Sequence, residues 1–107
     1  MTAFELHAEA EADLDGAAAF YEDHVPGLGA DFLDEVGHAI DEVCERPLAH
    51  PLWPDLPPEL GVRRKLLRRF PYALPFIFLS DRVIVLAVAH LSREPAFWLS
   101  RGRAHPE

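Results

Sequence analysis

The chain has one cysteine, no long apolar run and a single cation in its first sixty residues. The lone Cys44 excludes an internal disulfide, and its place in a helical apolar pattern makes it a small buried hydrophobe. No apolar run approaches the ~18 residues of a membrane span. The longest, residues 83–89 and 73–79, are seven residues each, the second counting Pro75. The opening MTAFELHAEAEAD has neither the basic start nor the apolar core of a signal peptide. A cytoplasmic location is the expectation that follows. The length predicts one domain over residues 1–107, with residues 102–107 as a frayed tail.

Motifs for metal and nucleophile chemistry are equally scarce. There is no HExxH, no paired cysteine motif and no EF-hand loop. Asp34, His38 and Asp41 or Glu42 share one helical face, which reads as a solvated acidic surface. Ser80, Ser92 and Ser100 have no GxSxG context. Gly27-Leu28-Gly29 is too short for a phosphate loop and follows a helix. No metal and no cofactor is expected.

What is present is polarised. Residues 1–60 hold 15 Asp/Glu and one Lys/Arg, a net −14; residues 61–107 hold nine Lys/Arg and three Asp/Glu, a net +6. Five of the nine cations, Arg63, Arg64, Lys65, Arg68 and Arg69, fall within seven residues. Such a cluster marks either a basic functional surface or a strand that neutralises the acidic helices within the fold.

Periodicity supplies the elements. Thr2 to His7 alternates as a short strand. Ala10, Leu14, Ala17, Ala18 and Tyr21 lie on one face of a helix over residues 9–24, and Gly16 weakens its interior or admits a second helix. The turn at residues 26–29 leads to a helix over residues 30–45, with Phe32, Leu33, Val36, Ile40 and Val43 as its stripe and Pro47 as its stop. Two helices joined this closely predict an antiparallel hairpin. Residues 46–61 hold five of the ten prolines and form a long connection, pinned by Trp53 and Leu56. Three strands follow, at residues 62–69, 73–79 and 82–90. Pro75 implies an edge, a bulge, or a strand that starts at Phe76. The third strand is apolar on both faces, as a strand covered on both sides is. Pro95 opens a short helix over residues 96–100. The order β-α-α-β-β-β-α predicts an α+β fold, a helical hairpin packed on a small antiparallel sheet.

The basic strand carries the clearest chemistry. Arg63, Arg64, Lys65, Arg68 and Arg69 suit phosphate or an acidic partner, and Tyr72 is placed to stack on a base. Arg93 follows His90 at the end of the third strand. His90 as acid or base, with Arg64 and Arg68 stabilising phosphorane-like charge, are the candidate catalytic residues of an RNA-cleaving site. The alternative is that the cations pair with acidic groups and His90 is a hydrogen-bonded strand-end residue.

One set of motifs spans nearly the whole chain. It runs from Ala12-Asp13-Leu14 and Phe20-Tyr21 through Pro26-Gly27-Leu28-Gly29, Phe32-Leu33, Val36 and Arg46-Pro47. It continues with Val62-Arg63-Arg64, Arg69-Phe70-Pro71-Tyr72 and Ile84-Val85-Leu86-Ala87-Val88, then His90, Arg93, Pro95, Trp98 and Arg101. In these the chain resembles the RelE/ParE superfamily of toxins from bacterial type II toxin–antitoxin systems, in its ParE-like branch. The resemblance implies two helices against a curved antiparallel sheet. It also implies an antitoxin that wraps and blocks the toxin in a hetero-oligomer. ParE-like members poison DNA gyrase. RelE-like members cleave mRNA in the ribosome, using a basic sheet surface and a late Tyr or His. Here His90 is present and no tyrosine follows Tyr72. The readings that follow are a gyrase-directed toxin, a ribosome-dependent mRNA endonuclease, and an antitoxin-binding module without toxicity.

Overall fold

A computed structural model describes residues 2–95, 97–99 and 101. Of the expected C-terminal helix, residues 97–99 and 101 are helical, while Ala96 and Ser100 lie outside the described residues, as does the tail from residue 102. Strand β1 (Ala3–Leu6) leads into helices α1 (Ala8–His24) and α2 (Leu28–Glu45). Then come β2 (Arg63–Leu66), β3 (Tyr72–Leu79), β4 (Arg82–Val85) and β5 (Ala89–His90). Short 3₁₀ turns at Pro47–Ala49 and Pro58–Leu60 interrupt the proline-rich connection.

The helical hairpin forms as its periodicity predicts, except that Leu33 lies outside the buried stripe, 44% exposed. His7 Nδ1 accepts the Glu9 N–H and caps α1. The Glu22 carboxylate accepts the Gly27 and Gly29 N–H groups, tying the end of α1 to the start of α2. Gly27 sits at φ +90°, a conformation that favours glycine. Gly29, rather than Gly16, is where the helices touch: a Cβ at Gly29 would lie 2.7 Å from the Ala18 carbonyl oxygen, whereas one at Gly16 meets nothing within 4 Å. Phe32, Val36, Ile40 and Val43 of α2 pack with Leu74, Phe76, Val83 and Val85 on one face of the sheet.

The strand order is β1-β4-β3-β2. β2 with β3 and β3 with β4 pair antiparallel, but β1 pairs parallel to β4, from Ala3 opposite Arg82 to Leu6 opposite Val85. The sheet is therefore mixed. This pairing joins segments some eighty residues apart, a distance over which local alternation carries no register information. Ser80 and Asp81 both have positive φ, 52° and 65°, and close a two-residue hairpin whose twist matches its strands.

Three strand expectations are corrected. The basic strand ends at Leu66: the Leu67 N–H still follows the register to the Tyr72 carbonyl, but the Arg68 and Arg69 N–H groups leave the ladder for Glu35. Pro75 lies buried within the central strand β3, which starts at Tyr72. The third strand is broken: moving from Phe76 to Ala73 on β3 advances from Val85 to Ala89 on its partner, so one extra residue is accommodated among residues 86–88 as a bulge.

One side-chain pair resolves the last two irregularities. Leu86 N–H donates to the Pro75 carbonyl at 2.8 Å, so a residue other than proline would return an N–H to the Leu86 carbonyl. Proline has none, and Arg101 Nη1 occupies that carbonyl instead at 2.9 Å. The same nitrogen bonds Asp13 Oδ2 at 2.8 Å, and that oxygen accepts the Val88 N–H, exposed by the bulge, at 3.2 Å. Arg101 is only 8% exposed. The buried backbone groups are thereby satisfied from two distant elements.

The second face of the sheet is also covered. Val62, Ile84, Leu86, Ala87 and Ala89 pack with Trp98, and Trp53 and Leu56 of the proline-rich connection lie against them. Trp53 meets Trp98 edge-on at 4.9 Å between ring centroids. Leu52 bridges Arg63, and the Pro51 carbonyl accepts the Arg64 N–H at 2.9 Å, so the connection shields the outer edge of β2. Because Asp81 has positive φ at the second turn position, Asp81→Gly is expected to raise unfolding stability by about 0.5–1 kcal/mol. A urea titration checks this; a lower midpoint in the variant contradicts the turn geometry.

Candidate functional site

Alternation along β2 divides its cations between the two faces of the sheet. Lys65, like Leu67, faces α2, and its Nζ lies 3.2 Å from Glu42 Oε1. Arg64 faces the other way and holds its guanidinium over Trp53, 5.8 Å from the ring centroid. Among the described residues Arg64 makes no ion pair. Arg63 Nη1 donates to the His50 carbonyl at 2.6 Å.

Beyond Leu66 the chain turns along α2. Arg68 Nη2 lies 3.4 Å from Glu42 Oε2, so Glu42 bridges two cations, and Arg69 pairs with Asp31 at 3.5 Å. Glu35 accepts both backbone N–H groups of Arg68 and Arg69, the second at 3.0 Å. Between α2 and this turn runs a groove of about 350 Å³, also lined by Asp34 and His38. Lys65, first by its hydrogen bond and then by its charge, holds the Glu42 carboxyl below its ordinary range, with Arg68 and His50 adding to this and burial opposing it. Three of the five clustered cations thus face carboxylates of the acidic helix. Exposed pairs of this kind contribute about 0–1 kcal/mol each. Their larger effect is to cancel the field that a free basic strand would project.

The other candidates gather elsewhere. Tyr72 pairs with His90 in the sheet, and their rings meet at 5.1 Å. Burial first, then the charge of the neighbouring Tyr21 and a hydrogen bond to it, raise the Tyr72 phenol above its ordinary pKa. His90 Nδ1 accepts the Ser92 N–H at 3.1 Å, with the Ser92 hydroxyl 2.8 Å away. A backbone N–H can only donate, so the neutral imidazole carries its proton on Nε2. The Arg93 guanidinium carbon lies over Phe97, 4.1 Å from the ring centroid. These residues border a second groove, of about 300 Å³, between α1 and the β5 end of the sheet.

The structure therefore brings Tyr72, His90 and Arg93 together on the helical side. It sets Lys65, Arg68 and Arg69 against α2, and Arg64 on the opposite face from His90. Sequence reading missed Glu35 and Glu42, whose roles depend on which strand docks beneath α2, and it missed the roles of Asp13 and Arg101. For Asp13 a signal existed: it falls three residues after Ala10 and four before Ala17, within the buried stripe of α1. Burial, reinforced by Asp41, raises the Cys44 thiol above its ordinary pKa, the state of an unreactive interior cysteine. Among the described residues no group of three or more His, Cys, Asp or Glu side chains is placed to hold a metal.

In fold the chain is similar to a solved chain described as "Chromosomal ParDE TA system from P. aeruginosa". The two superpose with a TM-score of 0.72 at 21% sequence identity, over 84% of this chain and 96% of that one. No family model and no curated protein matches the chain.

The lowered pKa of Glu42 fixes the sign of a pH effect. The stabilisation it contributes is present above the ordinary carboxylate pKa and is lost as pH falls through the lower folded value. Glu42→Gln is expected to cost about 0.5–1 kcal/mol at pH 7 and nothing once the carboxyl is protonated in both states. Urea unfolding of both proteins at pH 7 and pH 2.5 checks it; an equal difference at both pH values contradicts the assignment.

Proposed function

We propose that the chain is a ParE-like toxin of a toxin–antitoxin pair. In this reading an antitoxin protein neutralises it in a hetero-oligomer, and its target is DNA gyrase. The observation that carries the proposal is the fold, which aligns over 96% of a chain from a ParDE TA system. The motif series from Ala12 to Arg101 points the same way. We further propose that residues 1–107 act as one domain in the cytoplasm; among the described residues no helix is long and apolar enough to cross a membrane.

Gyrase is favoured over mRNA cleavage by the placement of the candidate catalytic residues. Arg64 stacks on Trp53 on one face of the sheet while His90 contacts Tyr72 on the other. Arg68 leans on Glu42. An imidazole protonated on Nε2 and a guanidinium must converge on one phosphate to cleave RNA, and the placement of these residues gives that chemistry little support. The proposed contacts to antitoxin or target are Arg63, Arg64, Lys65, Arg68, Arg69, Tyr72 and Arg93.

Induced expression is expected to arrest growth, and the purified chain to inhibit supercoiling by gyrase or trap its cleaved DNA complex. Replacing Arg63, Arg64 and Arg68 together with Ala is expected to reduce that inhibition at least about tenfold, the loss of one or more charge-assisted hydrogen bonds. Cleavage of mRNA on translating ribosomes, abolished by His90→Ala, would replace this target with the ribosome. Unimpeded growth alongside stable co-purification with an antitoxin would leave only an interaction module.

A further inference from the structure

The groove between α1 and the β5 end of the sheet is built unevenly. Its floor is apolar: Ala12, Gly16 and Ala17 line it, and Gly16 leaves open space above the helix. At one end Phe20 is 55% exposed, although its ring is propped at 4.3 Å against His24. The opposite wall is made of hydrogen-bond donors. His90 carries a proton on Nε2, and the Arg93 guanidinium carbon lies 4.1 Å over the Phe97 ring with no ion pair among the described residues, while the Tyr72 phenol is taken up by Tyr21. The carboxylate in the lining, Asp13, is already engaged by Arg101 and the Val88 N–H. The groove thus presents two donors, His90 Nε2 and the Arg93 guanidinium, over an apolar floor, and Asp13 Oδ2 beside them is already taken.

We propose that this groove docks an acidic segment of the antitoxin. One Asp or Glu carboxylate sits against Arg93 and His90, and an apolar neighbour lies over Gly16 beside Phe20. The proposal rests on the toxin reading for the identity of the partner. Charge selects a peptide over a nucleic acid. A polyanion laid on Arg93 would run along α1, which carries Glu9, Asp15 and Asp23 within an N-terminal half of net −14. A single carboxylate flanked by apolar side chains meets the guanidinium without that repulsion, and Arg is the side chain best suited to grip it. A groove of this size has room for two or three side chains.

The test uses the ¹⁵N-labelled full chain and three probes: the acetylated, amidated peptide SALELAS, its Glu→Gln counterpart SALQLAS, and a ten-nucleotide oligouridylate. With SALELAS the amides of Ala12, Gly16, His90 and Arg93 are expected to shift. Binding by SALQLAS, or by the Arg93→Glu variant with SALELAS, is expected to be about tenfold weaker. The oligouridylate is expected to leave the groove unchanged. Equal binding of the two peptides, shifts confined to another surface, or groove shifts with the oligouridylate would overturn the proposal. Phe20→Ala, an exposed substitution, checks the apolar end without endangering the fold, and unchanged SALELAS binding there counts against it. Growth arrest and gyrase inhibition are measured without peptide, so the two readings fail separately. An arresting chain with a silent groove rejects the groove, and a filled groove on a harmless chain rejects the toxin.

Discussion

Arg101 holds the carbonyl of Leu86, and much of the fold's irregular architecture depends on that contact. Pro75 stands in the middle of the central strand, where its nitrogen faces Leu86 and offers no hydrogen. An unpaired carbonyl at this depth costs ~1–3 kcal/mol, and an unpaired guanidinium costs more. The Leu86 carbonyl is satisfied by Arg101 Nη1, and Asp13 adds both the counter-charge and the acceptor for Val88. The arrangement links α1, the bulge between β4 and β5, and the C-terminal residues in one buried contact.

The bulge has a functional consequence. By inserting one residue before β5 it sets His90 opposite Tyr72 and brings Arg93 to the rim of the α1 groove. The fold thus uses this bulge to assemble donors beside a helix. On the far side of α2 the cations face Asp31, Glu35 and Glu42. The charge division seen along the chain is therefore closed in part within the molecule. Arg64 and Arg93 each lie over an aromatic ring and make no ion pair among the described residues.

Local patterns announced most of the architecture. Apolar spacing gave both helices, Pro47 marked the end of the second, and an apolar run on both faces identified a strand covered on both sides. The two-residue turn at Ser80-Asp81 was equally plain. What stayed hidden depends on distant partners. The parallel pairing of β1 with β4 is a register choice between remote segments. Pro75 reads equally as an edge, a bulge or a late strand start, because the donor that replaces its N–H comes from Arg101, far along the chain. The basic strand reads as longer than it is, because alternation cannot reveal that Glu35 takes the next two amides. The residues of the α1 groove were visible singly, as Tyr72, His90 and Arg93, but their convergence follows from the bulge.

The central claim is that Arg101 substitutes for the missing amide of Pro75, and a double-mutant cycle tests it directly. Arg101→Met is expected to cost about 3 kcal/mol or more in unfolding stability, since it leaves Asp13 and the Leu86 carbonyl partly unpaired. In a Pro75→Ala background the backbone N–H gained at position 75 can reach that carbonyl, so the same substitution should cost at least about 1 kcal/mol less. Additive costs for the two substitutions, within about 0.5 kcal/mol, would contradict the account.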